Sequence, residues 1–304
     1  MDETSGGAVV VGVDGTEPSE RAALWAARRA AVFGGPVVLV HGLRWPVYAQ
    51  AHLHVPGGVG ALEPDVTHEP MRRWAQEVLD DLARRCHEAS GVEVRTEVAS
   101  GEPEEALARA ADPVAFVVVG HSDHGGVARF LLGSTAQRLA RSCPWPVVVV
   151  RDEAACDERR ARGPVVVGVD GSPVSARALR FAFGFAARHG VEVVVLHASD
   201  ATTTAAAEPE RTREEDALRE GTGPVGSELA RCARLHPDVP HRLVDTPGPP
   251  ADALLAASAE AGLLVVGSHG KGAVRRAVLG SVSHALVDGA PCPVAVLPPR
   301  TGGS

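Results

Sequence analysis

The 304-residue sequence predicts an α/β protein in which one parallel-sheet domain is used twice. Three observations predict it. The glycine-rich stretch LLVVGSHGKGAVRRAVLGSVSHAL at Leu263–Leu286 has a second copy at Phe116–Leu139, FVVVGHSDHGGVARFLLGSTAQRL. Gly120 stands under Gly267, Gly133 under Gly280 and Ser134 under Ser281, at a constant offset of 147 residues (267 − 120). Each half also opens on the same run, VVVGVD at Val9–Asp14 and at Val165–Asp170, here offset by 156 (170 − 14). Finally, short continuous apolar runs alternate with Ala-rich helical stretches, the pattern of strands covered on both faces by helices. Aromatics are only 4% of the chain, so the cores are packed from small and β-branched side chains.

The elements follow in order. Ala8–Val13 is a buried strand ending in Asp14-Gly15, and Pro18–Phe33 reads as a helix stopped by Gly34-Gly35. Pro36–His41 is the second strand, and two strands joined by a helix in so short a span make a parallel βαβ unit. The segment Gly42–Pro70, with Trp45 and Tyr48, is long enough to be a lid. A helix over Met71–Ala89 leads to a strand over Val92–Ala99. Gly101-Glu102-Pro103 starts a helix that packs Leu107, Ala110 and Ala111 on the sheet, and Ala115–Val119 is the fourth strand. After the glycine loop a helix begins at Ser134, and Pro146–Val150 is the fifth strand. Residues 151–163, RDEAACDERRARG, have no apolar period and read as a solvated linker between a domain at 1–153 and one at 162–304. In the second half the offset falls from 156 to 147, which places a nine-residue deletion between the second strand and the turn after the third. A shorter lid, Ala198 to about Arg213, lies there, and Glu220–Gly226, EGTGPVG, is expected to break the following helix.

Charge and composition exclude several function classes. The formal net charge is −8 and no basic arm or interleaved aromatic-basic patch occurs, which disfavours nucleic acid. No run approaches eighteen apolar residues and the N-terminus lacks a leader pattern, so no membrane segment and a cytoplasmic location are expected. The five cysteines form no C-x-x-C and read as reduced thiols. The scattered histidines complete no cluster, and no metal site is assigned. What remains is the glycine loop. Glycine permits φ > 0 and close approach of a ligand, and Ser281 is a good N-cap for a helix whose amino end favours an anion. Together these make a place for a phosphate.

On these residues, the G-V-D-G strand end, the loop and the terminal Pro-Val strands, the chain resembles a tandem universal stress protein over both halves. ATP-binding members of that family carry G-x2-G-x9-G-[S/T], matched in full by Gly267, Gly270, Gly280 and Ser281. The resemblance implies two doubly wound domains, each a five-stranded parallel sheet in the order 3-2-1-4-5 with helices on both faces, and a nucleotide where the strand order reverses. It implies that Val169 and Asp170 lie by ribose and adenine, that Ala198 and Val266 line the adenine slot, and that Gly267, Gly270, Gly280, Ser281, Val282 and Ser283 hold the phosphates. The corresponding contacts of the first half are Val13, Asp14, Gly42, Val119, Gly120, Gly133, Ser134 and Thr135.

That half departs from the pattern, with Asp123 at the second glycine and Ala136 where the other has Ser283. A carboxylate about 5 Å from a phosphate costs on the order of 3 kcal/mol at an effective dielectric of about 20, more than a helix terminus returns. The first half is therefore read as impaired. The resemblance further implies ATP with Mg²⁺ as ligand and a nucleotide-dependent regulator of the stress response, the alternatives being a slow ATPase or a nucleotide-free scaffold. No P-loop is present, and His269 and His284 are the nearest candidate bases. In the family the fifth strands pair, so Val147–Val150 and Val294–Leu297 are expected to form an intramolecular pseudo-dimer, with lid faces left for a homodimer. Gly280→Ala is expected to abolish binding, by crowding the phosphate and by forbidding φ > 0.

Overall fold

The computed structural model describes residues 6–43, 65–121, 135, 136, 138, 139, 143–151, 158–199, 220, 222–270 and 279–299. The first half runs β1 (Ala8–Gly12), α1 (Glu17–Ala30), β2 (Val37–Leu43), α2 (Asp65–Ser90), β3 (Val94–Ser100), α3 (Pro103–Arg109), β4 (Val114–Gly120) and β5 (Val147–Val150). A short α4 (Glu158–Ala161) precedes the second half. There follow β6 (Val165–Val169), α5 (Pro173–His189), β7 (Val193–Ser199), α6 (Gly223–Leu235), β8 (His241–Pro247), α7 (Pro250–Ser258), β9 (Leu263–Gly267), α8 (Ser281–Gly289) and β10 (Val294–Leu297).

The ten strands among the described residues form one sheet in the order β3-β2-β1-β4-β5-β10-β9-β6-β7-β8. Each half has the expected 3-2-1-4-5 order with parallel neighbours, and the halves join where β5 and β10 pair antiparallel, Val149 opposite Val294 and Val147 opposite Val296. The antiparallel seam turns the carboxyl ends of the two half-sheets to opposite ends of the molecule. Continuous apolar strands are explained by cover on both faces: α1, α2, α5 and α6 pack on one, and α3, α7 and α8 on the other. On the first face the core crosses the seam. Phe116 of β4 meets Trp25 and Phe33 from its own half at 6.4 and 5.3 Å between ring centroids, and Phe181 and Phe185 of α5 at 6.0 and 6.5 Å.

Several boundaries differ from the sequence reading. Helix α2 starts at Asp65 with Pro70 inside it, so the segment read as a lid ends earlier; residues 44–64 and 200–219 lie outside the described residues. Gly223 and Pro224 begin α6, where proline in the first turn gives up an N–H that has no partner there anyway; the helix expected before them lies outside the described residues. Helix α1 ends at Ala30, with Phe33 in the turn beyond. The end of the linker is not simply solvated: Arg29 Nη1 donates to the Ala161 carbonyl (3.2 Å) and Arg160 Nη1 to the Ala259 carbonyl (2.9 Å). Cys86, Cys143, Cys232 and Cys292 are buried free thiols, and no described helix is long and apolar enough to cross a membrane.

Candidate functional site

Beyond β6 the chain turns sharply at Asp170-Gly171, and Gly171 takes φ +79°, a region that glycine enters without strain. Asp170 Oδ1 accepts the Ser172 N–H at 3.0 Å, and Ser172 Oγ accepts the Ser175 N–H at 3.2 Å as the N-cap of α5. Across from this turn β9 ends at Gly267, where an added Cβ would lie 2.9 Å from Val174 Cγ1. At Gly270 a Cβ would lie 2.7 Å from Asp170 Oδ2. The Ser268 carbonyl then ties strand end to helix start, accepting the Gly280 N–H (2.9 Å) and the Ser283 hydroxyl (3.3 Å).

These elements enclose a cavity of about 370 Å³ at the carboxyl ends of β6 and β9, the point where the strand order reverses. Val169, Asp170, Ala198, Val266, Gly267, Gly270, Gly280, Ser281, Val282 and Ser283 all line it. Two physical expectations about them fail. None of Gly267, Gly270 and Gly280 adopts positive φ; what excludes a side chain at the first two is the closeness of Val174 and Asp170. Gly280, at φ −58°, is itself the N-cap of α8, and Ser281 is the first helical residue, with no side-chain cap bond. The φ argument for Gly280→Ala therefore falls away, and a Cβ there meets its nearest neighbour, the Ser268 carbonyl oxygen, at an ordinary 3.4 Å.

The opposite end of the molecule holds a cavity of about 430 Å³ lined by Val13, Asp14, Gly42, Val119, Gly120 and Thr135. Gly133, Ser134 and Asp123 lie outside the described residues. A Cβ on Gly42 would lie 2.9 Å from Pro103, whereas the second half has Ala198 at that place, lining its cavity with Pro250. Burial pushes the Asp14 carboxyl up, but hydrogen bonds from the Thr16 hydroxyl and amide and from Ser19 outweigh it and hold the group below its usual range. Ala136, 3% exposed, lines this cavity where Ser283 lines the other.

The repeat also brings in residues that the loop pattern does not contain. Pro250 and Leu254 of α7, Leu196 of β7, Ser175 of α5 and His269 line the second cavity, and Pro103, Leu107, Val40 and Ser19 line the first. Apart from His269, each stands at the repeat offset from its counterpart, which was the available signal. His269 Nδ1 lies 2.9 Å from Ser268 Oγ, whereas His284 is off the cavity, its Nε2 3.3 Å from Asp288 Oδ2 one helical turn on.

Compared with known proteins, residues 7–151 and 162–298 each match the universal stress protein family. A universal stress protein of Mycolicibacterium smegmatis is 36% identical over 297 residues, which cover 96% of this chain and 97% of the relative. One from Mycobacterium tuberculosis is 34% identical over 293 residues, 95% of this chain and 96% of the relative. The crystal structure of a universal stress protein from Archaeoglobus fulgidus has the same fold, with a TM-score of 0.68 at 22% identity over 96% of this chain and 98% of that one.

Proposed function

Because the chain belongs to the universal stress protein family in both of its halves, we propose that its second half binds ATP and that occupancy of this site is a regulatory state read by a partner. The observation that carries this reading is the cavity between β6, β9 and α8, whose two ends differ in chemistry. Leu196, Ala198, Leu254 and Val266 make an apolar wall suited to an adenine ring. At the other end stand Ser281, Ser283, the glycine backbone and the amino end of α8, with no Cβ on Gly267 or Gly270 to fill the approach, a setting that suits phosphates. Asp170 lies between, placed to accept from ribose hydroxyls. The described residues contain no cluster of three metal ligands, so a Mg²⁺ would enter mainly on phosphate oxygens, with Asp170 the one carboxylate lining the cavity.

The reading is a nucleotide-binding site, with a slow ATPase as the alternative that the test below separates from it. The first cavity is weaker by the same chemistry, with Ala136 for a hydroxyl and Asp123 in its loop sequence. Adenine nucleotide released by denaturing the protein as purified tests this: about one intact ATP per chain is expected. Gly270→Val, whose Cβ must displace the Asp170 carboxylate and narrow the cavity, should lose it. ADP alone would replace binding with turnover. No nucleotide, and no heat on titration with Mg-ATP, would leave a scaffold.

A further inference from the structure

Among the described residues the sheet ends on two edge strands, β3 and β8, and β3 carries the pattern to pair with itself. The Val37 N–H donates to the Glu93 carbonyl (2.9 Å) and the Gly101 N–H to the Leu43 carbonyl (3.2 Å). In a parallel ladder this aims the backbone groups of Glu93, Arg95, Glu97 and Ala99 at β2, and the N–H and C=O of Val94, Thr96 and Val98 off the edge. A second copy approaching antiparallel about a two-fold axis at Thr96 would exchange paired hydrogen bonds with those outward groups. Thr96 then faces Thr96, and Val94 faces Val98.

The same register places Arg95 opposite the second copy's Glu97, twice, at the non-hydrogen-bonded positions where side chains come closest, about 4.5 Å between Cα atoms. Axes through Arg95 or Glu97 would instead oppose like charges. We propose that β3 is a homodimer edge, joining two chains through an antiparallel β3–β3 ladder in which Arg95 and Glu97 pair across the axis. Both side chains are exposed, and the present Arg95–Glu93 ion pair (2.8 Å, side chains 62% and 64% exposed) costs little to exchange. On the α2 side Gln76 Nε2 donates to both Thr96 Oγ1 (3.2 Å) and Asp80 Oδ1 (2.8 Å), so the groups nearest the axis there are already satisfied.

The other edge lacks this pattern. The outward backbone groups of β8 belong to His241, Leu243 and Asp245, and self-pairing about Leu243 would oppose Arg242 to Val244 at the close positions with no charge partner there, while Pro240 and Pro247 bracket the strand. Charges on an edge strand ordinarily block association, but at β3 they are arranged as their own complement.

Sedimentation velocity on the full chain tests the proposal across a hundredfold range of concentration. A monomer–dimer equilibrium is expected, weakened about tenfold or more by Arg95→Glu or by Glu97→Arg, each of which sets like charges across the axis twice. The double variant R95E/E97R should restore dimerisation to near the original constant. Amide exchange provides a second readout, since protection at Val94, Thr96 and Val98 should rise with protein concentration. A monomer at every concentration, dimerisation unchanged in the single variants, or no rescue in the double variant would overturn the assignment.

Discussion

Both halves carry a glycine where the fourth strand ends, yet the two glycines answer different demands. A Cβ on Gly120 would lie 2.5 Å from the backbone C and O of Pro18 and 2.8 Å from the Ser19 nitrogen, whereas one on Gly267 would meet the side chain of Val174. The first half therefore needs its glycine for the fold alone, whether or not anything binds, and a loop sequence that has lost the ATP pattern at Asp123 still keeps it. In the second half the nearest atom belongs to a side chain, Val174 Cγ1 at 2.9 Å, which must shift to admit a Cβ but leaves no backbone within 3.0 Å, and the glycine leaves the approach to the cavity open. The largest expected effect follows. Gly120→Ala drives backbone into backbone and should cost on the order of 4 kcal/mol or more, against about 1 kcal/mol for Gly267→Ala, in urea unfolding. Equal costs would mean that the two turns are not built differently.

A second contrast lies at the seam. Phe33 and His189 occupy equivalent places in the repeat, offset by 156 (189 − 33). His189 stacks on Phe185 at 4.0 Å and faces Phe33 at 5.7 Å, with its Nδ1 2.9 Å from the Phe185 carbonyl and Arg188 over the Phe33 ring at 4.9 Å. Burial lowers the imidazole, the Phe185 carbonyl partly opposes this, and the charges of Arg29 and Arg188 add to the lowering, so that it sits at about 4. The unfolded chain, near 6.5, takes up this proton first. Stability is thus fully present above pH 6.5, falls as pH drops from 6.5 to about 4, and loses nothing further from this group below that. The loss is on the order of 3 kcal/mol. His189→Phe, which makes the seam alike on both sides, should flatten the slope in that window, and an unchanged slope would assign it elsewhere.

Much of this was legible in the sequence because strands covered on both faces leave unbroken runs such as Val147–Val150 and Leu263–Val266, and because the repeat offsets mark the same turns twice. The residues that line the second cavity were legible for the same reason, since strand ends and loop are contiguous in the chain. Pro250 and Leu254 were not, because α7 folds onto the cavity from outside the loop pattern. The reason for each glycine was not legible either: a motif marks where a side chain is missing, but only the positions of Val174 and Asp170 reveal what it would strike. Pro70 misled as punctuation, since it sits exposed inside a long helix, whereas Pro224 stands in the first turn of one.

The smallest difference is in how each half uses the hydroxyl two residues after its strand-end aspartate. In the second half Ser172 caps α5 by accepting the Ser175 N–H. In the first, Thr16 makes no cap bond to α1, and its hydroxyl donates to Asp14 instead. Ser172→Ala should therefore cost about 1 kcal/mol of stability, the ordinary loss of a cap. Thr16→Ala removes no such bond. Its effect should fall on the Asp14 carboxyl, which loses a donor favouring the charged form and rises toward the usual carboxylate range, as carboxyl-carbon NMR titration would record. A Thr16→Ala variant that lost stability like Ser172→Ala, with the Asp14 titration unmoved, would show that both hydroxyls serve their helices and that the first cavity's carboxylate is held by something else.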